Sequence, residues 1–250
     1  MPDFVKEWFD AMLPIFVVVF VGWLLVIQLG FNLYGAIVAL FTPLMNVAQS
    51  LPGMILLYLI PTILYSMGIS GWVFQPILNP VTLYAITANA EAVAAGAAAE
   101  YVFTAETTTA FLSLGGRGVT LPLVLLLVFS QSKRLKALGR ASSVPSLLNI
   151  NEPVVFGAIA WNPLLMIPMW INAVFIPLIT FIALKTGLVP IPSEVFSMWY
   201  CPIGISSWLV TRSLAGIILT AVNLCVSLGI WFPFFKIYET REIAKETPVI

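Results

Sequence analysis

The sequence predicts an all-α, polytopic integral membrane protein with broken and re-entrant helical segments, and three observations carry that prediction. Sixty per cent of the 250 residues are hydrophobic, with a mean hydropathy of +1.03. Only 9% are charged, against about 25% in a soluble domain, too few to cover a water-facing surface. No charged residue stands between Asp10 and Glu91. The same composition excludes an extended disordered chain and a secreted disulfide scaffold. Eleven basic and eleven acidic residues cancel, which removes the electrostatic case for a nucleic-acid partner. The absence of histidine excludes histidine metal sites, Ser-His-Asp triads and histidine proton relays. No metal and no cofactor is expected. Two cysteines, Cys201 and Cys225, make no disulfide framework.

The opening MPDFVKEWFD is acidic, and no Ala-x-Ala site follows the apolar run, so it does not read as a secretory signal. Met12–Gly30 is a clear span, long enough for a hydrocarbon core of roughly 30 Å. Leu51–Met67 is a second, with Pro52 at its start and Pro61 as a kink. A third runs from Ile159 to Leu184, bounded by Lys185. Ile203–Phe235 is too long for one straight crossing and contains Arg212. Leu121–Phe129 is too short alone and is expected to join Thr107–Leu114 across the Gly115-Gly116-Arg117-Gly118 break. Lys133, Arg134, Lys136 and Arg140 form a basic loop that the positive-inside rule puts in the cytoplasm. The Glu194 loop then lies outside, and the tail with Lys236, Arg241 and Lys245 returns inside beside three glutamates. The expected organisation is 1–71, N-terminal transmembrane helices on a scaffold or dimer side, and 72–250, a transport core with two C-terminal spans.

Three apolar stretches are not simple spans. Thr87–Glu106, TANAEAVAAGAAAEYVFTAE, has small residues that allow close helix packing. It reads either as an interfacial helix or loop with solvated Glu91 and Glu100, or as part of a cavity wall. SLGGRGVTLPLVLLL is either a plain break between helices or a substrate-lining one; it lacks the Gly-Lys-Ser/Thr of a phosphate loop. In SVPSLLNINEPVVFGAIAWNP, Asn149, Asn151 and Glu152 sit within an apolar region, and Pro153 forbids a regular helix through them. Either Glu152 is solvated in a surface loop, or it lies at membrane depth. A carboxylate at that depth needs polar partners or a wet cavity, and transporters build midplane sites from such broken helices.

NINEPVVFG, with the upstream TANAEA and GGxGxTLxL patterns and the downstream Asn162, Pro163 and Pro168, resembles the membrane-embedded sugar permease, enzyme IIC, of bacterial phosphoenolpyruvate-dependent phosphotransferase systems. The lactose/cellobiose/diacetylchitobiose branch is the nearest. The resemblance runs along the whole chain but covers only the C-terminal half, or slightly more, of longer family members. It implies a multi-pass protein of the bacterial cell membrane that carries a β-linked disaccharide inward. There a cysteine phosphate on enzyme IIB gives its phosphoryl group to the sugar 6-hydroxyl. The chain would not be catalytic alone; it would be the membrane subunit of a protein-phosphocysteine–sugar phosphotransferase.

Residue by residue, the resemblance makes Glu152 the partner of the 6-hydroxyl and its general base. It makes Asn151, Asn89 and the Gly116 turn candidate sugar contacts. Trp199, in MWYCP, becomes a stacking platform, with an interfacial anchor as the alternative. The chain departs from the family at Tyr65-Ser66-Met67-Gly68-Ile69-Ser70-Gly71. Tyr65 stands for a tryptophan, and Ser70 for a histidine that helps hold the sugar. The implied partners are the disaccharide, enzyme IIB with IIA, lipid, and either a second copy in a homodimer or a separately encoded N-terminal half. A truncated membrane sugar-binding or sensor module, or an inactive fragment of a split permease, is the alternative. An intramembrane hydrolase is not supported, because Glu152 has no nucleophile or second base beside it.

Overall fold

The computed structural model describes residues 3–246, and no strand occurs among them. Contacts divide the chain between Thr42 and Pro43, and each part is taken by itself.

In the first part, α1 (Asp3–Trp23) runs on into a π turn, Leu24–Gln28, and ends at Gly30 with φ +63°. Every side chain from Asp10 to Phe20 is exposed. Exposed apolar side chains of this kind face lipid or other helices in a membrane.

α2 (Leu33–Ala48) leads into α3 (Leu51–Ser66). The start of α3 is set by Ser50, whose Oγ accepts from Gly53 N–H at 3.2 Å, and by Pro52 in the first turn. A 3-10 turn at Gly71–Phe74 opens α4 (Gln75–Ala94). Thus two helices, α2 and α4, stand where no span is expected. After α4 the rest of the Thr87–Glu106 stretch is irregular up to α5; Glu91, within α4, and Glu100, after it, are both exposed. α5 (Ala105–Thr107) continues as a π turn, Thr108–Leu112, and α6 (Leu121–Val128) follows after the glycine-rich turn. These are two short arms rather than one straight crossing. Leu121 N–H closes the turn onto Leu114 O at 3.2 Å.

Two expectations are corrected downstream. The basic loop is a helix, α7 (Lys133–Leu147), capped by Ser132 Oγ, which accepts from Leu135 N–H at 3.2 Å. Its buried face is Leu135, Gly139, Ser142 and Ser146, a helical spacing carried mostly by small residues. The third span starts later than expected. α8 (Glu152–Val154) continues as a π turn, Val155–Ile159, and breaks at Trp161, whose φ is +59°, before α9 (Pro163–Lys185) begins. The stretch from Ile203, too long for one straight crossing, divides into two helices, α10 (Ile205–Thr211) and α11 (Leu214–Glu246), parted at Arg212 in a left-handed conformation. α11 extends well past Phe235, because Lys236–Glu239 and Lys245–Glu242 pair one turn apart along it.

By length and composition, Asp10–Gln28, Pro163–Lys185 and Leu214–Glu246 can each cross a membrane; the bent pair Ala39–Ala48 and Leu51–Ser66 would make a fourth. The core joins Tyr65 of α3, Leu123 and Leu127 of α6, Leu135 of α7, Val154 of α8, Met169 of α9, and Trp231 and Phe235 of α11. Polar side chains satisfy the irregular backbone, as a water-poor setting requires. From α11, Asn223 Nδ2 donates to Phe111 O at 3.1 Å, while Ser227 Oγ and Trp231 Nε1 donate to Val119 O at 3.1 and 2.9 Å. At the basic end of α7, the Glu246 carboxylate accepts from Ser132 Oγ and from Lys133 and Arg134 N–H, at 2.7, 3.0 and 3.0 Å. A carboxylate there meets the unpaired amides and positive pole of a helix start. Glu239 binds Ser130 Oγ and Gln131 N–H in the same way, at 2.7 and 2.8 Å.

Candidate functional site

Two backbone breaks meet. At the first, Gly115, Gly116 and Gly118 take φ of +80°, +96° and +83°. Side-chain-bearing residues rarely adopt such values. At Gly116 space adds a second demand, since a Cβ would stand 2.3 Å from Asn151 Cγ. At the second break, Asn149 turns left-handed with φ +61°. Its Oδ1 accepts from Gly115 N–H at 3.0 Å, and its Nδ2 donates to Trp199 O at 3.2 Å.

Asn151 ties the two breaks together. It is buried; Nδ2 donates to Arg117 O at 2.9 Å and to Thr120 Oγ1 at 3.1 Å, and Oδ1 accepts from Tyr65 Oη at 3.1 Å. Most of its hydrogen-bonding capacity is therefore spent inside the protein. Glu152 differs. Its carboxylate is exposed and takes no hydrogen bond or ion pair among the described residues. An acceptor-only group left free in this way is available to a ligand.

A cavity of about 500 Å³ lies against both breaks, within the roughly 300–1,000 Å³ of small-molecule sites. Glu152, Asn151, Gly116 and Trp199 all line it, together with Tyr58 and Tyr65 of α3 and Arg117. Trp199 meets Trp72 edge-to-face with ring centroids 5.9 Å apart, and both remain about half exposed, so their faces are reachable. An apolar ring face beside hydroxyl-binding groups suits a sugar ring, which has both surfaces.

The other two residues stand apart. Asn89 is buried outside the cavity lining. Its Nδ2 donates to Tyr101 O and Pro192 O at 2.8 and 2.9 Å, and its Oδ1 accepts from the N–H groups of Glu100 and Tyr101 at 3.1 and 2.9 Å. It fixes the loop after α4. Ser70 is exposed and caps the 3-10 turn by accepting from Trp72 N–H at 3.4 Å; its neighbour Gly71 lines the cavity, and Ser70 does not.

Tyr58, Arg117 and Trp72 are among the lining residues that the sequence did not single out. Arg117 carried a signal: it is the single basic residue between Asp10 and Lys133. Trp72 carried only its place directly after the Tyr65–Gly71 stretch.

Residues 1–177 match the profile of the family described as Phosphotransferase system, EIIC. Over 99% of its length the chain is 36% identical to a putative permease IIC component, YwbA, of Bacillus subtilis, covering 58% of that protein. Over 98% it is 34% identical to the cellobiose-specific EIIC component of Geobacillus stearothermophilus, covering 57%. The crystal structure of the transporter ChbC, the IIC component of an N,N'-diacetylchitobiose-specific phosphotransferase system, superposes with a TM-score of 0.80 at 33% identity, covering 98% of this chain and 59% of that one. The chain thus spans somewhat more than half the length of the relatives it matches.

Proposed function

This chain belongs to the phosphotransferase system EIIC family and is an integral membrane protein, and from that premise we propose that it is the sugar-translocating part of a phosphoenolpyruvate-dependent sugar phosphotransferase system. The substrate class is a β-linked disaccharide. Relatives named for cellobiose, lactose and oligo-β-mannoside support that class. The observation that carries the reading is one cavity in which a free carboxylate, Glu152, stands at a doubly broken backbone near the Trp72–Trp199 pair.

The chemistry follows from those groups. A tryptophan face takes the apolar side of a sugar ring and leaves its hydroxyls pointing outward. Glu152 accepts a hydrogen bond from the 6-hydroxyl. As that oxygen attacks the phosphorus of a phosphocysteine, Glu152 takes the proton, the P–S bond breaks and the cysteine leaves as thiolate. Asn151 holds the backbone that aims Glu152. The phosphocysteine belongs to enzyme IIB, recharged by IIA; some relatives are named as EIICB components. A homodimer is part of the proposal, since α1 buries none of its apolar residues from Met12 to Phe20 within this chain.

The test is equilibrium binding of radiolabelled cellobiose, lactose and diacetylchitobiose to the purified chain. Phosphorylation in membranes is then followed with phosphoenolpyruvate, IIA, IIB and the soluble phosphocarriers that charge IIA. Saturable binding of one of the three, with its phosphorylated product, is expected. Failure of all three to bind rejects the reading.

A further inference from the structure

Among the described residues, two charged side chains line the cavity, Glu152 and Arg117. No ion pair joins them, and no hydrogen bond engages the Arg117 guanidinium among the described residues. The group is nonetheless held in place. Its central carbon lies 5.3 Å from the centroid of the Tyr58 ring, and its Nε is 3.2 Å from where a Cβ on Gly71 would stand. The backbone beneath it is fixed from both sides. Asn151 Nδ2 donates to Arg117 O, and Gly118 N–H donates to Tyr58 Oη at 3.0 Å. Tyr58 therefore holds the turn through its hydroxyl and faces the guanidinium with its ring.

A guanidinium has five N–H donors and no acceptor. The cation–π contact with Tyr58 takes up none of those N–H donors in a hydrogen bond. For a half-buried cation in a cavity lined by protein, unused donors are costly unless a ligand supplies acceptors. The planar fork fits two adjacent oxygens at once, which a lysine ammonium cannot do. A β-linked disaccharide offers such adjacent oxygens on its ring hydroxyls. Glu152 can only accept, and Arg117 can only donate, so the two groups ask for opposite things of the same ligand.

Resting on the sugar-binding reading above, we propose that Arg117 is a specificity-determining residue whose guanidinium edge donates to two adjacent oxygens of the bound disaccharide. With Glu152 on the 6-hydroxyl, this second polar contact sets which way round the sugar lies and which hydroxyl configuration is accepted. A sugar with one of those hydroxyls inverted or missing loses half of the fork.

The test uses the full chain and whichever of cellobiose, lactose or diacetylchitobiose binds it, with monodeoxy analogues of that sugar as competitors. Arg117→Ala is expected to weaken binding roughly 10- to 100-fold, the range for losing hydrogen bonds to a charged group. Arg117→Lys keeps the charge and is expected to remain at least about 10-fold weaker than wild type. At least one deoxy position that costs wild type about 10-fold should cost Arg117→Ala less than about 3-fold, the signature of a direct contact. A structural role would not produce that position-specific loss of sensitivity. Should Arg117→Ala fail to fold, the same flattening is read on Arg117→Lys. Wild-type affinity in Arg117→Lys, or an unchanged analogue profile in the variants, overturns this inference alone. Failure of the wild-type chain to bind any of the three sugars overturns the functional reading and this inference with it.

Discussion

Tyr65 Oη donates to Asn151 Oδ1 at 3.1 Å, so α3 is fastened to the residue that joins both backbone breaks. Tyr65→Phe would remove the donor and leave a buried amide oxygen unpaired. Such a loss costs about 1–3 kcal/mol. A lower Tm in detergent is expected, with a several-fold weaker sugar affinity because the backbone under Glu152 is less firmly held. An unchanged Tm would show that this bond is not part of the scaffold.

Glu152→Gln is expected to insert and fold normally, because no group among the described residues depends on the carboxylate for a hydrogen bond. Sugar phosphorylation should drop by roughly 100-fold or more, the range for removing a positioned base. Binding should fall as well. Wild-type disaccharide affinity together with wild-type phosphorylation in this variant would sink the role given to Glu152.

Glycine substitutions separate the turn from the helices. Gly116→Ala places a Cβ 2.3 Å from Asn151 Cγ at φ +96° and is expected to destabilise by more than about 1 kcal/mol. Gly229→Ala, inside α11 with nothing within 4 Å, should be neutral or stabilising by about 0.5–1 kcal/mol. Thermal melts of the two variants side by side decide the matter; equal shifts would contradict the close packing of Gly116 on Asn151.

Cysteine labelling reads the topology. The Lys133–Arg140 segment and the tail after Lys236 are expected on the cytoplasmic side, and Glu194 on the outer side. The background is Cys225→Ala, since Cys225 is exposed. Cys201 can remain: it is buried, and burial pushes its thiol pKa up, which keeps it protonated and slow to react. A probe at Lys136 that labels from outside intact cells contradicts this orientation.

What the sequence made legible follows from how local each signal was. The Asn149–Glu152 break shows because Pro153 and three polar residues interrupt an apolar run within a few positions. The membrane class shows because composition needs no contacts. α7 was hidden because its buried face, Gly139, Ser142 and Ser146 beside Leu135, carries almost no hydrophobic signal amid four basic residues. The division of α10 from α11 depends on one left-handed residue, Arg212, within an apolar stretch. The place of Arg117 depends on Tyr58 and Gly71, dozens of positions upstream, which no spacing rule connects. Asn89 reads as a polar residue waiting for a ligand until the loop it binds is seen.

The carboxylates of Glu239 and Glu246 grip the start of α7 from the end of α11. α7 in turn ends at Leu147, a few positions before Glu152, while the upper part of α11 holds the carbonyls of Phe111 and Val119. Torque applied to the last turns of α11 thus has two routes to the same place. One runs along α7 to the Asn149–Glu152 bend, the other along α11 to the glycine turn opposite it. Both breaks beside the cavity are thus tied to one place, where the end of α11 meets the start of α7.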